Sequence, residues 1–172
     1  MTRDLRATLT LAAAILTTGL IAGVFFAYVD SVMPALGRVD DRTFIDVMQQ
    51  IDDVIQNPVF FTAYFGAPVL IAVAAVQQRR RGSRDAARWL WAALGLYVLG
   101  LLVTSGVHLP LNEDLVAAGD PDQITNPAAV RDDFEDSWNA WNVVRTILHI
   151  AALACLAPAL VHHGRNTAGD QR

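Results

Sequence analysis

Four long apolar segments, Leu9–Val29, Pro58–Val76, Trp89–Val107 and Trp141–Val161, constrain this chain more than any other feature. About 20 apolar residues cross the hydrocarbon core of a bilayer, and each segment is close to that length. The first three hold no charged residue; the fourth holds Arg145, with His149 one helical turn further on. Lipid offers the backbone no hydrogen-bond partner, so such segments must be helical. The expectation is an all-α fold: an antiparallel four-helix transmembrane bundle, with residues 1–172 as one membrane domain. Composition agrees, because 17% of the residues are charged against roughly 25% in a soluble domain. The first segment follows Arg3 and Arg6, as the apolar part of a secretory signal would. Its 21 residues exceed the roughly 7–15 of a signal core, and Val29-Asp30-Ser31 is no small-x-small cleavage site. It reads as an uncleaved span.

Charge sets the orientation. All thirteen basic residues are arginine. Nine of them (Arg3, Arg6, Arg79, Arg80, Arg81, Arg84, Arg88, Arg165 and Arg172) fall on one side, with only Asp4, Asp85 and Asp170 against them. The other two loops carry Arg38, Arg42 and Arg131 against the remaining fourteen carboxylates. Positive charge stays in the cytoplasm, so both termini and the Arg79–Arg88 hairpin are expected inside a plasma membrane and both long loops outside. Nucleic-acid binding is a poorer account of these arginines than topology and anionic lipid. Cys155 is the only cysteine, which excludes an intramolecular disulfide and a CxxC centre.

The outer loops carry structure of their own. Phe44, Val47, Met48, Ile51, Val54 and Ile55 recur at helical spacing, with Asp46, Gln49, Asp52 and Asp53 between them. That pattern is an amphipathic helix, and it predicts an extracytoplasmic helical cap over the bundle. Asn57-Pro58 and Asn126-Pro127 are cap and first-turn pairs. After the second pair, only Pro158 interrupts a helical pattern running to His162, so the fourth span is expected to be the inner part of one long helix.

That helix carries the most informative residues. Val130, Phe134, Trp138, Trp141, Asn142, Arg145 and His149 follow at steps of three or four, apart from the adjacent Trp141-Asn142, which makes one stripe. By helical rise, Arg145 and His149 lie about 6 and 12 Å below Trp141, in the outer half of the bilayer. An ionisable group there costs roughly 2.5–3.5 kcal/mol on insertion scales and faces the bundle interior as a rule. The plain readings are that Arg145 snorkels to the interface and that His149 ties helices together. The functional reading adds Thr104, Ser105, His108 and Asn112 from the end of the third span, where Pro110 is expected to end or kink the helix. Phe25, Phe26, Tyr28 and Asp30 close the first span at the same level. These groups converge on a cavity opening outward. A metal site of His108, His149 and Asp30 has no supporting short spacing such as HxxxH. His162-His163, at the other end, is read as interfacial.

At these residues the chain resembles the DUF1772 family of small membrane proteins, which is anthrone oxygenase-like. The resemblance runs through Gly23-Val-Phe-Phe-Ala-Tyr28, Val32-Met-Pro-Ala-Leu36, Met48-Gln-Gln-Ile51 and Asn57-Pro-Val-Phe60. It continues in His108-Leu-Pro-Leu-Asn112 and in Trp138, Trp141, Asn142 and Arg145. Each motif is weak alone, but they stand in order over almost the whole chain. What the resemblance implies is oxidation of an anthrone to an anthraquinone by dioxygen without a cofactor. Such chemistry needs a base, donors for an enolate oxygen and a flat apolar cavity. His149 or His108 is then the expected base, because imidazole titrates near neutral pH. Arg145, Asn112 and Asn142 are the expected oxygen donors, and Trp138, Trp141, Phe25, Phe26, Tyr28 and Asp30 the expected substrate contacts. No cofactor is called for, although a haem or metal between His108 and His149 stays open. The expected partners are the lipid bilayer and a small lipophilic, polycyclic aromatic substrate, with no nucleic acid and an open oligomeric state. The rival is a non-enzymatic membrane protein binding a lipid or small molecule, in which the polar intramembrane residues only hold helices together. An open apolar cavity of roughly 300 Å³ or more, lined by these groups, favours the enzyme.

Overall fold

Among the described residues, four helices are long and apolar enough to cross a membrane: Asp4–Leu36, Pro58–Arg80, Arg84–Ala117 and Pro127–Asn166. The structure is a computed structural model and describes residues 2–169. Asp170 and Arg172, counted in the charge argument, lie outside the described residues, as does the side chain of Arg3.

The elements run α1 (Thr2–Ala27), α2 (Met33–Leu36), α3 (Asp41–Ile55), α4 (Pro58–Arg80), α5 (Arg84–Val103), α6 (Leu109–Ala117) and α7 (Pro127–Gly169). Around the bundle, α1 packs on α4 and α7, and α5 packs on the same two helices. The bundle interior is built from Leu11, Ile21, Ile71, Leu90 and Leu156, with Ala14, Ala67, Ala74, Ala93, Ala152 and Ala159 between them. Alanines at these contacts let backbones approach closely, which is how helices associate where lipid removes the hydrophobic driving force.

Two π-helical turns interrupt the spans at one end, Tyr28–Val32 after α1 and Thr104–His108 after α5. Each is followed two residues later by a proline, Pro34 and Pro110. A proline has no N–H and its ring collides with the carbonyl four residues back. The chain meets both demands by widening the preceding turn: the amides of Met33 and Leu109 bond five residues back, to the carbonyls of Tyr28 and Thr104. Pro110 therefore does not end the third span, the first of the two outcomes expected from the sequence, and it is accommodated by the π-helical turn before it. The helix continues to Ala117 and carries Asn112 up with it.

The amphipathic segment folds as α3, as its spacing predicts. Its N-cap, Asp40, accepts from the Thr43 amide and hydroxyl, and these bonds hold the Asp40 carboxyl below its ordinary pKa. Phe44, Ile45 and Met48 on α3 pack with Met33, Leu115, Phe134 and Trp138 as a second core above the bundle. Arg131 ties this cap together. It bonds the carbonyls of Leu36 and Val39, pairs with Asp41 and Glu135, and lies over the Phe44 ring at 4.5 Å. Asn57 caps α4 through the amides of Val59 and Phe60. The long fourth helix is borne out: α7 has 43 residues, about twice what a bilayer crossing takes, and its first turns belong to the cap.

At the opposite end, His163 is buried between helices. Its ring bridges the Gln78 amide and the Thr8 hydroxyl, each at 2.9 Å, and Arg81 pairs with Asp4 nearby.

Candidate functional site: a cavity between bundle and cap

Between the cap and the bundle lies a cavity of about 450 Å³, within the 300–1,000 Å³ common for small-molecule sites. Its walls are mainly aromatic. Phe25 comes from α1, Phe60 and Tyr64 from α4, and Trp138 from α7. Met48, Ile51 and Ile55 of α3 roof it. Phe60 and Tyr64 are one turn apart on α4 and stack at 5.2 Å, while Tyr28 and His108 each pack on Trp138, at 5.5 and 5.2 Å.

Arg145 is the main polar group on the wall. It is only 6% exposed, so it does not snorkel. Its guanidinium donates to the side-chain oxygen of Asn142 (2.8 Å) and, less closely, to the Thr104 hydroxyl (3.4 Å). Aromatic faces supply the rest of its surroundings: Phe25 at 4.0 Å and Trp138 at 5.5 Å from the guanidinium carbon. Its Nε–H has no partner. Among the described residues no carboxylate pairs with it, and Asp30, an expected substrate contact, is exposed and does not line the cavity. Cation–π contacts return about 0.5–2 kcal/mol, less than a desolvated cation costs. The side chains in direct contact with the guanidinium are neutral, and the carboxylates of Asp52 and Glu113 line the same cavity without pairing with it.

His108 also lines the cavity and is 1% exposed. Neither ring nitrogen makes a well-formed hydrogen bond; the backbone of Val103 and of Trp138 comes near without good geometry. The Tyr64 hydroxyl likewise lies near Thr104 without a proper bond. Trp138, by contrast, is fixed. Its indole N–H donates to Asn112 Oδ1 at 3.0 Å, and Asn112 Nδ2 donates to Asp52 Oδ1 at 2.6 Å. This chain of bonds runs from α7 through α6 to the roof helix.

The structure divides the residues singled out from the sequence. His108, Arg145, Asn112, Trp138, Phe25 and Tyr28 line the cavity. Asn142 and His149 are buried but stand off its wall. Asn142 holds Arg145 and reaches weakly to the Phe25 carbonyl at 3.5 Å. His149 donates from Nδ1 to the Arg145 carbonyl at 2.8 Å, and its ring is packed between Phe25 and Tyr97, at 4.9 and 4.6 Å. Trp141 and Phe26 face outward, 42% and 50% exposed. Each neighbours an inward residue, Asn142 or Phe25, and adjacent positions on a helix point about 100° apart. The His108, His149 and Asp30 trio does not assemble; among the described residues no three His, Cys, Asp or Glu side chains gather as metal ligands. Sequence reasoning missed Tyr64 and Phe60, which read as ordinary span residues. Their signal was the i, i+4 aromatic pair directly after the Asn57-Pro58 start.

Residues 60–155 match the family model described as anthrone oxygenase. That stretch starts at the Phe60 wall of the cavity and includes Tyr64, His108, Asn112, Trp138 and Arg145. No curated protein and no solved structure matches the chain.

Proposed function

The chain belongs to the anthrone oxygenase family, and from that premise we propose that it oxidises a small lipophilic, polycyclic aromatic substrate with dioxygen in the cavity under its cap. The observation that carries this reading is the unpaired guanidinium of Arg145 set into an aromatic cavity of about 450 Å³. A flat aromatic ketone fits such walls, and its oxygen, once it becomes an enolate, supplies the charge Arg145 lacks.

The roles follow from position. His108 is the base, because its ring lines the cavity and neither nitrogen makes a well-formed hydrogen bond. It takes a proton from the doubly benzylic C–H across the central ring from the carbonyl. Arg145 stabilises the enolate oxygen as charge develops there, and Tyr64, with its hydroxyl free of a proper bond, is a second donor. The electron-rich carbon then adds dioxygen. Loss of water with the second C–H leaves the quinone, so one ketone and one dioxygen give one quinone and one water. All electrons come from the substrate, and the scheme calls for no cofactor. Trp138, Phe25 and Phe60 hold the rings. Asn142 and His149 act through Arg145 as positioning residues, the first on its guanidinium and the second on its carbonyl.

The non-enzymatic reading draws on the same two residues, since His149 and Asn142 do join helices. It leaves the uncompensated charge on Arg145 without a purpose. In this reading the membrane is the plasma membrane and the cap lies outside, as the arginine distribution implies. The test is oxygen uptake together with quinone absorbance, using purified protein in vesicles and anthrone as substrate. Acceleration over the spontaneous oxidation is expected, with most of it lost in His108→Ala. Equal rates with and without the protein would contradict the proposal.

A further inference from the structure

The cavity is roofed by α3 and open at the side. Three sets of hydrogen bonds fasten the roof helix α3 to α6 and the loop beyond it. Asn112 donates to Asp52, the Gln49 amide reaches the carbonyls of Leu115 and Gly119, and Arg42 bonds the carbonyls of Pro121 and Ile124. On its other side α3 runs through Gln56 and Asn57 directly into α4. Below this roof, the α4 edge of the cavity is Phe61 and Phe65, and the α5 edge is Leu101, Ser105 and Leu109. Phe65 and Leu109 are 55% and 47% exposed although they line the cavity, so they stand at a mouth. Both edges belong to helices long and apolar enough to cross a membrane.

We infer that the cavity is entered sideways, through the gap between α4 and the α5–α6 helix, so that its ligand comes out of the bilayer and not out of water. This rests on the reading of the cavity as the substrate site and adds the phase from which the substrate arrives. The mouth sorts ligands by chemistry. Phe61, Phe65 and Leu109 present apolar surface to lipid, with the Ser105 hydroxyl among them and the Thr104–Arg145 pair on the wall inside. Asp52, Gln56 and Glu113 mark the upper rim. A flat hydrophobic molecule with one oxygen passes between the α4 phenylalanines and the Ser105–Leu109 edge and meets Arg145 oxygen-first. A water-soluble anion meets the carboxylates of Asp52 and Glu113 at the upper rim. The π-helical turn at Thr104–His108 sets one edge of this gap, because it turns Ser105 and Leu109 to the mouth while His108 stays inside.

The test needs no turnover. With Cys155→Ala as background, a nitroxide is placed on Ser105→Cys at the mouth and, separately, on Asp53→Cys on the exposed face of the roof. Both proteins are reconstituted in vesicles, with Leu109→Cys as a second mouth reporter should the first not fold. Relaxation by dissolved oxygen is expected to exceed relaxation by a water-soluble nickel chelate at the mouth, and the order is expected to reverse at Asp53. A mouth label relaxed mainly by the chelate would overturn lateral entry. As a second arm, benzophenone dissolved in the vesicles is photolysed and adducts on Tyr64 and Trp138, inside the cavity, are counted by mass spectrometry. Ser105→Phe, which narrows the mouth, is expected to cut them several-fold; an unchanged yield would equally overturn the inference. Absence of oxygenase activity would sink the proposed reaction and leave both of these readouts standing.

Discussion

The ring of His149 fills a notch that Gly100 leaves in α5: a Cβ at position 100 would stand 2.2 Å from His149 Cε1 and 2.8 Å from Nδ1. The approach matters because that imidazole is bonded to the Arg145 carbonyl and packed against Phe25, the ring on which the Arg145 guanidinium lies. Gly100 thus makes room for the ring that backs Phe25 and Arg145. Gly100→Ala cannot be accommodated without moving the ring or parting α5 from α7. The cost expected for such overpacking is about 1–3 kcal/mol, read as a lowered melting temperature. Gly100→Ala combined with His149→Ala should recover part of it, and simple additivity of the two losses would show that the notch is not what the glycine is for.

Asn112 is expected to matter through Trp138 and the roof together. Asn112→Ala leaves the indole N–H without an acceptor and frees Asp52. An orphaned buried donor costs about 1–3 kcal/mol, and the indole that forms one cavity wall is no longer held. A raised KM for anthrone is expected, with a smaller change in kcat, because the residue orders a binding surface and does not touch the reacting carbon. Steady-state kinetics on vesicle-reconstituted protein separates the two; a pure kcat effect would place Asn112 in the chemistry instead.

Much of this was legible in the sequence. Hydropathy marks the four spans, the spacing from Phe44 to Ile55 marks α3, and the Asn57-Pro58 and Asn126-Pro127 pairs mark two helix starts. Capping and burial depend on neighbours in the chain, and such signals are local. The cavity is legible only in part, because its membership depends on which way a side chain turns. Phe25 and Phe26, or Trp141 and Asn142, are equivalent as entries in a stripe, yet one of each pair points to the bundle and the other away. Pro34 and Pro110 were visible, but their effect is a change from four-residue to five-residue bonding, which no residue type announces. That change carries His108 and Asn112 onward along one helix where an end or a kink was expected. Tyr64 was hidden for the opposite reason, since an aromatic in an apolar span carries no sign of its unpaired hydroxyl.

The account stands on Arg145 being kept charged and unpaired for a substrate oxygen. Replacing a buried, poorly compensated charge by an apolar residue of similar length is often neutral or stabilising, so Arg145→Met is expected to fold and melt no lower than the wild type. The decisive measurement is its rate of anthrone-dependent oxygen uptake in vesicles, relative to wild type. Loss of an oxyanion donor predicts a fall of about 10²–10³-fold in a protein of undiminished stability. Wild-type turnover in Arg145→Met would contradict the account.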